Sequence, residues 1–143
     1  MSNINWAALQ VAAKQASEQA YAPYSKFPVG VAVLAQSGKI YTGCNVENAS
    51  YGGTVCAERN AIGAAIVAGE RKFDALMVYT PQTQLTPPCG ICRQVIAEFF
   101  IPEAPVASCN HLQQQQIWTL VELLPAAFTP TYLVNSTKVD GNA

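Results

Sequence analysis

The order of elements along the chain predicts an α/β protein, a three-layer α/β/α sandwich around one five-stranded mixed sheet. Three observations carry that reading. An amphipathic helical stripe opens the chain, an extended hairpin follows, and helical and extended segments alternate from there on. The 143 residues contain no internal repeat and no linker-like break. Residues 1–133 are therefore expected to form one domain, with 134–143 as a mobile C-terminal tail that nothing anchors.

Each element has its own warrant. Asn3 is placed to cap a first helix whose stripe is Trp6, Leu9, Ala13, Ala16 and Ala20, at spacings of three and four. That helix must stop before Pro23. Val29 to Leu34 is a nearly continuous apolar run, as expected of a strand covered on both faces. Ser37-Gly38 turns the chain into a second strand from about Lys39 to Cys44. A polar loop over 45–55 leads to a second helix from near Cys56, through Ile62, Ala65 and Ile66, to Gly69. Phe73 to Tyr79 reads as a buried strand, Thr80 to Pro88 as a proline-rich loop, and Gly90 to Phe99 as a third helix. Pro105 to Ser108 and Ile117 to Leu120 are two further short strands, with the polar tract Gln113 to Gln116 as a loop between them.

Composition narrows the function. Half of the residues are hydrophobic and only 12% are charged, against a usual charged share of about a quarter. So few charges leave apolar surface for an oligomer to cover. The net charge is −1 and the eight basic residues are scattered, so no basic patch marks a nucleic-acid partner. No run approaches the ~18 apolar residues of a membrane span. Five cysteines, an odd number, without a secretory leader pattern point to reduced, metal-binding thiols in a cytosolic setting. The expected partner is a small molecule.

The chemistry sits in Cys56-Ala57-Glu58-Arg59 and Pro88-Cys89-Gly90-Ile91-Cys92. Three cysteines, Cys56, Cys89 and Cys92, supply three thiolates for one zinc ion and leave a fourth tetrahedral position for water. Zinc lowers the pKa of that water to roughly 7. Glu58, two residues from a ligand, is placed to move protons. Activated water beside a carboxylate means hydrolysis or deamination. Taken alone, Cys89-x-x-Cys92 would equally suit a redox pair or half of a structural zinc ribbon. A ribbon needs a fourth protein ligand, for which Cys44, Cys109 and His111 are the remaining candidates. Three thiolates on Zn²⁺ carry a formal charge of −1, and Arg59 is the cation placed to offset it.

These segments, with Ala22-Pro23-Tyr24-Ser25-Lys26-Phe27, Gly43-Cys44-Asn45-Val46-Glu47-Asn48-Ala49 and Glu122-Leu123-Leu124-Pro125, resemble the small homotetrameric cytidine deaminases over roughly residues 5 to 130. The resemblance implies one zinc per subunit and hydrolytic deamination of cytidine and 2′-deoxycytidine, in pyrimidine salvage. In that reading the activated water attacks C4 of cytosine while Glu58 protonates N3, then carries a proton to the departing amine. The backbone of Ala57 accepts a hydrogen bond from the 4-amino group. Asn45 and Glu47 hold the ribose 3′-hydroxyl. Phe27 stacks on the base, and Phe128, with Tyr51, comes from a neighbouring subunit, so that active sites are shared in a homotetramer.

Without the resemblance, Phe27 and Phe128 would be read as core, and Asn45-x-Glu47 either as an ordinary polar loop or as two side chains that share a face of an extended segment and can grip one sugar hydroxyl. Cys44, Cys109 and His111 are read as structural. Two departures from the family pattern stand beside the site, Pro87 and Ile91, and either can reshape the space around the 4-amino group. Within the enzyme class, the alternative is a deaminase of a modified cytosine nucleoside, such as blasticidin S or an N4-substituted cytidine. From another class, it is a zinc-stabilised interaction module with a saturated four-ligand ion.

Overall fold

The computed structural model describes residues 3–134. Five strands form one sheet in the order β2-β1-β3-β4-β5: β1 (Gly30–Ala35), β2 (Ile40–Cys44), β3 (Phe73–Thr80), β4 (Pro105–Asn110) and β5 (Gln115–Thr119). Only the β3–β4 pair is parallel; β1–β2, β1–β3 and β4–β5 are antiparallel. Alternation along β1 divides the core. Val31, Val33 and Ala35 join one buried cluster with Ala57, Ala61, Ile62 and Ile96, while Ala32 joins another with Leu9, Ala13, Met77 and Ala107. Helix α1 (Trp6–Ser17) therefore covers one face, and α2 (Ala57–Val67) and α3 (Gly90–Phe99) cover the other. Three layers result, as the alternation of elements requires.

Two glycines fix how closely the helices sit. A Cβ at Gly30 would lie 1.9 Å from the Ala13 carbonyl of α1, and one at Gly43 would lie 2.3 Å from the Ala61 amide of α2. The second contact seats α2, which carries the chemical residues, directly on the edge strand β2. Asn60 adds a tie across the same seam, its Nδ2 donating to the Cys44 carbonyl at 2.8 Å.

Topology explains why the site residues meet. Strands β2 and β3 are each antiparallel to β1, so they run in the same direction and end at the same edge of the molecule. The loop after β2 leads into α2, and the loop after β3 leads into α3. Cys56 and Cys89, the N-cap residues of those helices, are thereby brought together. Since β1 runs the opposite way, Phe27 to Val29 enter it at this same edge.

Several expectations need correction. Asn5, not Asn3, caps α1: its side chain accepts from the Ala8 amide at 3.0 Å. The glutamine tract is not wholly loop, because Gln115 and Gln116 open β5, pairing with Cys109 and Ser108. Leu120 leaves the strand and starts α4 (Leu120–Leu123), capped by a reciprocal Thr119–Glu122 box. The tail expected over 134–143 lies outside the described residues except for Val134, the last residue of α5 (Thr131–Val134).

Candidate active site

Cys56, Cys89 and Cys92 form one cluster whose sulfurs all lie within 4.8 Å of one another. The Cys56 and Cys89 sulfurs are 3.8 Å apart. Two sulfurs bound at about 2.3 Å to a tetrahedral zinc stand about 3.8 Å apart, so the spacing suits the ion. Among the described residues no fourth His, Cys, Asp or Glu joins the group, and Cys44, Cys109 and His111 lie outside it. That composition is the three-ligand set of a catalytic site and not the saturated set of a structural ribbon.

The helix starts supply the electrostatics. Neither Cys56 nor Cys89 makes a side-chain capping bond, so the first amides of α2 and α3 face the cluster unanswered. Cys56 is held as thiolate, lowered to about 5 by the hydrogen bond from Cys92 and further by Arg59 and Cys89. Cys92 is fully buried, and its thiol is pushed well up by donating to Cys56 and by burial. Arg59 lies beside the cluster: its Nη2 is 3.7 Å from the Cys56 sulfur and 3.4 Å from the Thr54 carbonyl.

Glu58 is 5% exposed. Burial pushes its carboxyl up to about 7, the neighbouring Cys56 thiolate adds to the shift, and its own backbone amide opposes it. A carboxyl that both holds and releases a proton near neutrality has the property a proton carrier needs.

Beside this cluster opens a cavity of about 390 Å³ lined by Phe27, Asn45, Glu47, Cys56 and Ala57, among others. Phe27 is half-buried in its wall. Asn45 is buried: its Nδ2 donates to the Phe27 carbonyl at 2.9 Å, and its Oδ1 accepts from the Val29 amide at 2.9 Å. Glu47 accepts from the Tyr24 amide at 3.0 Å, the Ser25 amide at 3.1 Å and the Ser25 hydroxyl. The Ser25 hydroxyl and amide hold its carboxyl below the usual carboxylate range. The Ala57 carbonyl is turned against β2, 2.7 Å from where a Gly43 Cβ would stand. Ala57 itself lines the cavity, with its backbone N–H at the open start of α2.

Tyr51 and Phe128 do not line this cavity. Tyr51, 76% exposed, lies on a 3₁₀ turn with its ring edge-on to Tyr24, and Phe128, 57% exposed, stacks on Tyr132. Ile91 is likewise exposed on the first turn of α3 and lines no part of the cavity. Burial pushes the Cys109 thiol up to about 11, as expected of an inert core sulfur.

The zinc-binding region of the cytidine and deoxycytidylate deaminases matches residues 5–108, which include all three sulfurs and Glu58. The chain belongs to this family. The cluster is accordingly a site for one zinc ion. Among deaminase-family relatives, a cytidine deaminase of Sporosarcina psychrophila is 51% identical over 116 residues, 81% of this chain and 85% of that protein. The crystal structure of cytidine deaminase from Burkholderia pseudomallei superposes with a TM-score of 0.83 at 45% identity, covering 87% of this chain and all of that one. That from Mycobacterium tuberculosis superposes with a TM-score of 0.78 at 39% identity, over 88% and 98%.

Sequence reasoning missed two supports of the deaminase site. Arg93 donates from Nε to the Pro88 carbonyl at 2.7 Å and from Nη1 to the Leu123 carbonyl at 2.8 Å, pinning the loop that delivers Cys89. The available signal was an arginine on a short, largely apolar helix in a chain with so few charges. Ser25 is the other, joined to Glu47 across 22 residues, and no local pattern announces that contact.

Proposed function

We propose that this chain catalyses the hydrolytic deamination of cytidine and 2′-deoxycytidine to uridine and 2′-deoxyuridine, releasing ammonia. The observation that carries the reading is a buried carboxyl, Glu58, set beside three clustered sulfurs at two converging helix starts. When bound by Cys56, Cys89 and Cys92, zinc supplies an open coordination position and an acidified water. Every proton movement then falls to Glu58. Glu58 takes one proton from the water and gives it to N3 as the water oxygen adds to C4, then takes the remaining hydroxyl proton and gives it to the amine as the C4–N bond breaks and ammonia leaves. The Ala57 N–H, at the positive end of α2, suits the pyrimidine O2 as acceptor. Phe27 provides an apolar face for the ring.

The sugar side follows from a donor and acceptor inventory. A carboxylate has about four acceptor positions, and Glu47 uses three on Tyr24 and Ser25, leaving one on Oε2. Asn45 has two N–H donors and uses one on Phe27. One acceptor and one donor remain, the complement of a single hydroxyl. We assign it to the 3′-hydroxyl, common to ribose and deoxyribose, which supports turnover of both nucleosides. A 3′-phosphate would meet the Glu47 charge.

The exposed rings of Phe128 and Tyr51 support a homotetramer in which each completes a neighbour's site, with Phe128 closing on the base. Five free thiols suit a cytoplasmic role in pyrimidine salvage. The test is zinc stoichiometry together with ammonia release from cytidine, deoxycytidine, cytosine, CMP and N4-substituted cytidines. One zinc per chain with kcat/KM highest for the two unsubstituted nucleosides is expected. Preference for an N4-substituted cytidine would replace this reading with the modified-nucleoside alternative.

A further inference from the structure

Ser25 stands at the junction of the two groups assigned to sugar and base. Its hydroxyl donates to Glu47 Oε2 and at the same time accepts from the Phe27 amide at 3.0 Å. Its own amide donates to Glu47 Oε1 at 3.1 Å. Between Ser25 and Phe27, Lys26 takes a left-handed conformation, φ +58°, and its amide donates to the Ala22 carbonyl at 3.0 Å. This reversal brings the Phe27 amide back onto the Ser25 hydroxyl. One short side chain thus links the carboxylate, the aromatic ring and the turn that presents them.

The hydroxyl occupies one side of Oε2, so it determines which way the last free acceptor position of Glu47 points. With Ser25 in place, Oε2 keeps one unused acceptor position on a carboxylate that lines the cavity together with Phe27, Asn45 and Ala57. Without it, the outer oxygen has no partner and the carboxylate can rotate about its remaining amide bonds. No other side chain hydrogen-bonds to Glu47 among the described residues.

We propose that Ser25 is a positioning residue for sugar recognition, aiming the Glu47 carboxylate at one hydroxyl of the nucleoside while tying it to Phe27. The inference rests on the deaminase reading above and deepens it. It assigns to Ser25 a share of the discrimination between nucleosides that carry a 3′-hydroxyl and those that lack it.

The test crosses the enzyme with its substrate. Wild type, Ser25→Ala and Ser25→Thr are each assayed with 2′-deoxycytidine and 2′,3′-dideoxycytidine, which differ only in the 3′-hydroxyl. Ser25→Ala should lower kcat/KM for deoxycytidine about three- to tenfold, mainly through KM, the usual net worth of one solvent-accessible hydrogen bond. With dideoxycytidine, measured as Ki if turnover is too slow, its penalty should stay within about twofold, because that ligand makes no use of the aimed carboxylate. Ser25→Thr, which keeps a hydroxyl, should stay within about twofold of wild type on both. An equal penalty for Ser25→Ala on the two ligands, or no rescue by Ser25→Thr, would overturn the assignment and leave Ser25 a loop residue only. Absence of wild-type turnover with deoxycytidine would instead defeat the deaminase reading itself. Zinc content and Tm of each variant, measured in parallel, separate a misfolded protein from a misaimed carboxylate.

Discussion

The two halves of this site are built by different means. The chemical half, with Cys56, Glu58, Cys89 and Cys92, rests on helix starts that are set by the packed core. Ala57, Cys92 and Ile96 are inaccessible, and Gly43 allows α2 to lie against β2 with no side chain between them. The half proposed to hold sugar and base, Phe27, Asn45 and Glu47, rests on loops tied by side-chain hydrogen bonds, and Tyr51 and Phe128, the rings proposed for a neighbour's site, stand in the open. Reaction chemistry needs sulfurs and a carboxyl held to fractions of an ångström, which a core can do. Substrate selection needs a surface that admits a ligand, which loops and a neighbouring subunit can provide.

The largest expected effect comes from breaking the chemical half at its metal ligands. Cys56→Ala, Cys89→Ala and Cys92→Ala should each lose zinc by elemental analysis, lose measurable deamination, and lower Tm, because metal binding and folding are coupled. Zinc retained at full stoichiometry in any of the three would remove that residue from the ligand set.

A smaller effect is expected from the outer edge of the other half. Phe128→Ala should lower kcat/KM about five- to a hundredfold, on the ~1–3 kcal/mol of a base–aromatic stack, chiefly through substrate binding. Co-assembly sharpens the contrast. A Phe128→Ala subunit retains Glu58, and a Glu58→Ala neighbour can lend its ring. Mixed oligomers should therefore exceed the average of the two parents, and a straight line of activity against mixing ratio would show that Phe128 serves its own chain.

How legible each half was in the sequence follows the same division. The chemical half is local: Cys56-Ala57-Glu58 is contiguous at a helix start, and Cys89 and Cys92 are three apart, a spacing that helix periodicity puts on one face. Their meeting required only the strand directions. The other half is not local. Glu47 lies 22 residues from Ser25, and Asn45 lies 18 from Phe27, so the use of their side chains on backbone could not be read in advance. The close seating of α2 on β2 is not local either, since it depends on Gly43 meeting Ala57 and Ala61 across the seam. Fold errors have a similar origin. Strand β5 is an exposed edge whose glutamines pair through backbone, so hydrophobic patterning missed its start. Thr119-Leu120-Val121-Glu122, by contrast, is a capping-box sequence that was open to view.

The smallest effects should come from the cysteines outside the cluster. Cys44→Ala and Cys109→Ala should keep one zinc per chain and most of the activity, with Cys109→Ala lowering Tm because its side chain is buried in the sheet core. Zinc lost from Cys109→Ala but kept in Cys56→Ala would invert the assignment.

In the proposed reaction Glu58 is the one group that carries every proton. Glu58→Gln preserves the side chain's size and leaves the sulfurs untouched. Zinc content and cytidine turnover measured on the same preparation should give one zinc per chain, with kcat lowered by at least ~10²–10⁴-fold, the usual worth of a general acid–base. Near-wild-type kcat with zinc in place would contradict the mechanism.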